Sequence, residues 1–213
     1  MTVVNAKNLT LDEVHHLLKL EKQEGGSFPL SLAMEPLTEL EQQEIAATRN
    51  HFENHLRSGA SEGQVKLIAV GPLLRLAGFY SSPLLILVEE GIARIEIADE
   101  DTTITGRFDI LAINKAKQVK ENVPFWVLVV EAKNSSVSPS VGLPQLLAYA
   151  YESLAYQESV WALATNGELY RFVYLQAGNP PTYQLMPFLS LTDFDSSIQL
   201  LQVLKAIARR TSS

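Results

Sequence analysis

The segment Pro124-Phe-Trp-Val-Leu-Val-Val-Glu131-Ala-Lys133-Asn134 constrains the fold more than any other stretch of the chain. A run this apolar reads as a strand buried on both faces, with layers packed above and below it. Its end is charged. Alternation puts Glu131 and Lys133 on one face and Ala132 on the other. A carboxylate and an ammonium at the mouth of a buried strand are costly to desolvate, and they persist where they pair with each other, a metal ion or a substrate. A second acid stands one strand earlier, in Thr105-Gly-Arg-Phe-Asp109-Ile-Leu-Ala-Ile. If the two strands are neighbours, Asp109 and Glu131 converge. Two such carboxylates repel, a divalent cation relieves the repulsion, and oxygen ligands suit Mg²⁺, with Mn²⁺ as the alternative. The chemistry this favours is phosphodiester hydrolysis: the metal polarises the phosphate and activates a water, and Lys133 stabilises charge or orients that water. Glu-x-Lys alone also suits a structural ion pair closing a strand. The buried strand before it and the acid on the preceding strand are what single it out.

The rest of the chain supplies the layers. Thr10 and Glu13 form a capping-box pattern at the start of a short helix that Gly25-Gly26-Ser27 breaks, and residues 1–34 read as an N-terminal helical appendage. Thr38 and Glu41 repeat the pattern for a helix over 38–57. A third helix starts near Ser61, kinks at Gly71-Pro72 and stops at Gly78. Strands follow at 84–88, 93–98, 103–113 and 125–132, then a helix over 142–157. Two more strands, 160–164 and 169–175, flank the turn Thr165-Asn166-Gly167, and a last helix covers 196–209. The order predicts an α/β (α+β) layered domain over 35–213, a mixed central sheet flanked by helices. On the helix after the Glu131 strand, Gln145 and Tyr149 are four apart and share a face.

Asp109, Glu131-Ala-Lys133, Gln145-x-x-x-Tyr149 and the strand ending in Thr165-Asn166-Gly167 together resemble the PD-(D/E)XK nuclease superfamily. More closely, VLVVEAKN, GLPQLLAYAY and WALATNGELYRF are similar to the N-terminal nuclease domain of type I restriction enzyme R subunits. Glu62 resembles the acidic residue of that family's upstream helix. The resemblance spans roughly residues 60–176. It implies a restriction-endonuclease-like core and a Mg²⁺-dependent endodeoxyribonuclease. Asp109, Glu131 and the Ala132 carbonyl would be metal ligands, with Glu62 an additional acid. Lys133 would be the catalytic cation, and Gln145 and Tyr149 would support the site or DNA engagement. Phe108 stands where a proline often precedes the Asp. The family's motor is absent, since no Gly-x-x-x-x-Gly-Lys-Ser/Thr phosphate loop occurs, so neither ATP nor ATP-driven translocation is expected.

Composition narrows the alternatives. With no cysteines, thiol nucleophiles and Cys-ligated zinc are excluded. Against 24 Asp+Glu the chain has 17 Lys+Arg, a net charge of −7, so DNA would have to be met through a local basic patch. Lys115, Lys117 and Lys120, read as a loop after the Asp109 strand, are candidates for it, as are Arg94 and Arg107. His51 and His55 have i, i+4 spacing without the His-Glu-x-x-His pattern, and read as a solvated helix face, as His15-His16 does. Trp126 and Trp161 read as core. No membrane segment or targeting signal stands out, which with the lack of cysteine predicts a cytoplasmic protein. The expected partners are DNA, further restriction-modification subunits, or a second copy in a homodimer. The competing reading is a DNA- or protein-binding module on a nuclease fold, weakly catalytic or dependent on a partner.

Overall fold

In the computed structural model, which describes residues 2–91, 95–97, 100–120 and 123–210, the Thr-x-x-Glu boxes open helices as the sequence predicts. Strand β1 (Thr2–Asn5) precedes helix α1 (Leu11–Leu18). The Thr10 hydroxyl accepts from the Glu13 N–H while the Glu13 carboxylate accepts from the Thr10 N–H. The helix ends at Lys19, in the left-handed region at φ 52°. That is earlier than the expected break at Gly25-Gly26, and a short strand β2 (Glu21–Gln23) fills the interval. Thr38 and Glu41 cap α2 (Glu39–Leu56) in the same way. Ser61 and Gln64 form a third box for α3 (Glu62–Gln64), which runs on as a π-helical stretch, Val65–Val70, into α4 (Gly71–Leu76). This is the form the expected kink takes. Pro72 has no N–H for the Ile68 carbonyl, and the Gly71 N–H reaches back to the Lys66 carbonyl.

The strands are β3 (Leu84–Val88), β4 (Ile95–Ile97), β5 (Thr102–Thr105), β6 (Ile110–Lys120) and β7 (Val123–Ala132). After them come α5 (Leu143–Ser153), the hairpin of β8 (Ser159–Thr165) and β9 (Leu169–Gln176), then β10 (Thr182–Ser190) and α6 (Phe194–Arg209). Among the described residues the large sheet has the order β2-β10-β9-β8-β7-β6-β3 and a small one the order β1-β5-β4. In the large sheet β7–β8 and β10–β2 pair parallel and the other neighbours antiparallel. Helix α5 makes the crossover from β7 to its parallel neighbour β8, so the charged-ended strand is central.

Alternation sends the sheet's side chains into two cores. Leu128, Val130, Leu163 and Phe172 face α2, α4 and α6, while Val129, Ala162 and Val173 face α1, α5 and the small sheet. The result is a mixed sheet flanked by helices, compatible with a restriction-endonuclease-like fold. Trp161 is buried, and Trp126 packs against the α5-side core. The segment read as an appendage holds α1 and also two edge strands: β1 lies parallel to β5, and β2 parallel to β10. Leu9, Val14, Leu18 and Leu20 enter one core, Phe28 and Leu32 the other.

Three expectations need correction. The single strand at 103–113 is two strands, because the chain turns over residues 106–109. β5 belongs to the small sheet and β6 to the large one, and Asp109 sits immediately before β6, not inside a strand. Lys115, Lys117 and Lys120 are not in a loop: β6 continues through them to Lys120, pairing with β7 across bulges. β10 has no counterpart in the sequence reading, since its Pro187 lies in a register shift between Leu185 and Phe188 and hides the strand pattern. Arg94, and the ends of the strand expected over 93–98, lie outside the described residues.

Candidate active site

The register of β6 on β7 builds the site. Ile110 pairs with Val130, so the residue before β6 and the last two of β7 meet at one end of the sheet. The Ala132 N–H donates to Asp109 Oδ2 at 2.7 Å, tying the two acidic strand ends together. Glu131 points to the α5 side and Ala132 packs in the core of the opposite face, as alternation requires. The Lys133 ammonium donates to Glu131 Oε1 at 2.6 Å and to Gln145 Oε1 at 3.3 Å. Gln145 Nε2 donates to the Tyr149 hydroxyl at 2.9 Å, one helical turn on. That hydroxyl also accepts the Arg107 N–H at 3.2 Å, which pins the turn ahead of Asp109. Gly106 makes this approach feasible: a Cβ there would lie 2.6 Å from Tyr149 Cε1.

A cavity of about 470 Å³ opens over these residues. Glu62, Asp109, Glu131, Lys133 and Gln145 line it, together with Glu89 and the exposed Asn5, Lys7 and Arg107. The structure thus brings together Glu62, Asp109, Glu131, Lys133 and Gln145, with Tyr149 fully buried behind Gln145. It does not bring Lys115 and Lys117. They lie along β6 toward its pairing with the first residues of β7, at most roughly 20 and 26 Å from Asp109 at about 3.3 Å per residue. There the Lys117 ammonium sits 4.5 Å from the centre of the Phe125 ring. His51 and His55 stand on α2, and among the described residues no three His, Asp or Glu side chains form a group able to hold a metal ion.

The sequence reading missed Lys66 and Glu89. The Lys66 ammonium lies 3.1 Å from Asp109 Oδ1, 3.1 Å from Glu89 Oε1 and 3.3 Å from Glu62 Oε1. Burial disfavours that charge, but the hydrogen bond and charge of Asp109, joined by Glu89 and Glu62, outweigh it and raise the Lys66 pKa. The same ammonium, with Arg107, holds the Glu89 carboxyl below its ordinary value. The Glu62-x-x-x-Lys66 spacing was a legible signal; the approach of Glu89 was not, because it follows from the register of β3 on β6. The Glu131 carboxyl is pushed up to about 7, by burial first and then by the Asp109 charge, against the opposing pull of Lys133. Burial also raises the Tyr149 phenol.

Glu62, Asp109 and Glu131 do not form a three-acid group able to hold a metal ion, but the Asp109–Glu131 pair suits a hard divalent cation at one observed point. Glu131 is 2% exposed, and its Oε2 is buried with no hydrogen-bond partner. A buried carboxylate oxygen beside a second carboxylate is the environment that oxygen-seeking cations satisfy.

No family model and no curated protein matches the chain. Among solved structures it is similar to the fragment of a putative HsdR subunit of a type I restriction enzyme from Vibrio vulnificus YJ016. The identity is 22% and the TM-score 0.39, over 67% of this chain and 25% of that one. This chain therefore spans about a quarter of its neighbour's length. No helix among the described residues is long and apolar enough to cross a membrane.

Proposed function

We propose that the chain is a metal-dependent endodeoxyribonuclease domain of the PD-(D/E)XK type, resembling the N-terminal nuclease domain of type I restriction enzyme R subunits. The observation that carries this reading is the convergence of Asp109, Glu131 and Lys133 in one cavity at the paired ends of β6 and β7. Asp109 and Glu131 would hold Mg²⁺ or Mn²⁺, with the Ala132 carbonyl as a further candidate, while Glu62, paired with Lys66, would be an additional acid beside the site. When bound, the metal supplies polarisation of the phosphate and a water of lowered pKa. The chain's own residues do the rest. Lys133 places an ammonium at the non-bridging phosphate oxygen or orients the attacking water. Gln145 holds that ammonium from the α5 side, and Tyr149 holds Gln145. Arg107 and Lys7, both exposed on the cavity, supply the positive charge that a DNA backbone needs from a chain of net charge −7.

The test is plasmid nicking with Mg²⁺ or Mn²⁺. Wild type converts supercoiled to open-circle DNA; Glu131→Ala and Lys133→Ala fold and lose at least about a hundredfold in rate, the scale of a removed charge-stabilising group. Cleavage that persists in Glu131→Ala would sink the assignment. The second reading is a DNA- or protein-binding module that depends on restriction-modification subunits or another partner for cleavage. One observation favours it: Lys66 already pairs with Asp109, Glu62 and Glu89 and offsets part of their charge. Salt-sensitive DNA binding that needs no metal, with no products under any divalent condition, is its signature.

A further inference from the structure

Both oxygens of Asp109 carry a partner. Its Oδ2 accepts the Ala132 N–H at 2.7 Å, and its Oδ1 lies 3.1 Å from the Lys66 ammonium. Glu131 differs: Oε1 is held by Lys133, while the buried Oε2 has no partner. Both carboxylates thus hold an ammonium of the chain, but Glu131 has a second oxygen open to a cation and Asp109 has both of its oxygens engaged. Lys66 is well held, its side chain 16% exposed, on the π-helical stretch that follows Glu62. Its other two acids are of another kind. Glu62 and Glu89 are 45% and 48% exposed and stand toward solvent. They can keep the ammonium between them when it leaves Asp109, so departure breaks one of its three ion pairs, and the incoming cation takes its place on Asp109, whose side chain is 13% exposed.

We infer that Lys66 is a built-in counter-ion of the acidic site, holding the Asp109 oxygen that a divalent cation requires, so that the cation enters by exchange as Lys66 withdraws onto Glu62 and Glu89. The inference rests on the proposed metal-binding role of Asp109 and Glu131. Lys66 is here a positioning residue: it acts through Asp109. Without a divalent cation it keeps the acids from repelling one another, and it raises the cation concentration at which the site fills.

The experiment is a Mn²⁺ titration of the full chain, followed by the electron paramagnetic resonance signal of free Mn²⁺, with metal-free melts to confirm folding. Lys66→Met and the more polar Lys66→Gln bind Mn²⁺ about tenfold more tightly than wild type, equivalent to about 1.4 kcal/mol. Lys66→Arg, which keeps the charge, stays near wild type. Lys115→Met, which removes the same charge from the far part of β6, changes nothing, and Asp109→Asn loses binding. Equal or weaker binding by both uncharged variants overturns the inference, as does Lys66→Arg binding as tightly as Lys66→Met. The two failures are distinguishable. Wild-type binding that Lys66 variants leave unchanged removes only the role of Lys66, whereas no binding by wild type and Lys66→Met alike removes the metal-binding reading with it.

Discussion

The fold raises the carboxyl of Glu131, whereas it lowers those of Glu13, Glu41 and Glu89. The Glu131 carboxyl is buried beside Asp109, and the folded state raises its pKa from 4.5 to about 7. The folded chain therefore binds more protons than the unfolded chain across that interval. Stability consequently falls as pH rises from about 4.5 to about 7, the reverse of the usual behaviour of a paired carboxylate. Denaturant midpoints measured across this range should decline in wild type and stay nearly level in Glu131→Gln, which cannot ionise. A decline that survives the substitution would assign the effect to another group. The position of Glu131 was legible, since a charge closing an apolar strand is visible in the letters. The occupant of its neighbour was not. Lys66 is separated from Asp109 by 43 positions and lies on a helical stretch whose approach to that residue is a tertiary contact.

At the scale of elements, the βαβ unit of β7, α5 and β8 holds Glu131, Lys133 and Gln145, and Tyr149 joins it to the turn between β5 and β6 that carries Asp109. Tyr149→Phe removes the acceptor shared by the Arg107 N–H and Gln145 Nε2. Leaving such buried groups unpaired costs roughly 1–3 kcal/mol. In a chain of this size each kcal/mol lowers Tm by roughly 2–4 °C. A thermal melt reads that cost, and nicking should slow less than in Lys133→Ala, because Lys133 keeps its contact with Glu131. Elements with a strong local signal were visible in advance. The capping boxes at Thr10 and Thr38, the Asn166-Gly167 hairpin and the apolar β7 each state their own conformation. Elements defined by a partner were not. β1 and β2 are short edges whose pairing comes from distant strands. β10 carries Pro187 at a bulge, where proline removes the very donor a strand assignment presumes. The split between β5 and β6 is tertiary too: Gly106 lies against Tyr149, and nothing in the local pattern announces that contact.

For the whole molecule, charge is distributed by distance from the cavity. Arg107 and Lys7 face it, whereas Lys115 and Lys117 stand well along β6 from it. If DNA binds over the cavity, Arg107→Ala should weaken binding and lower the salt slope of log K by about 1, while Lys117→Ala leaves the slope unchanged. Fluorescence anisotropy of labelled duplex across a salt series, with Ca²⁺ in place of Mg²⁺, measures both. The inverse pattern would move the DNA path to the other part of the sheet. The two edge strands near the chain's beginning also impose an order in time. Glu21 must wait for Thr182, and Thr2 for Thr102, before either has a ladder to join. At about 5–20 residues added per second, β2 spends on the order of ten seconds outside the ribosome with its backbone unpaired. Asn5, the last residue of β1, and Lys7 just after it wait only for β5, so their side of the cavity can close before β7 and α5, which bring Glu131 and Gln145, have been made.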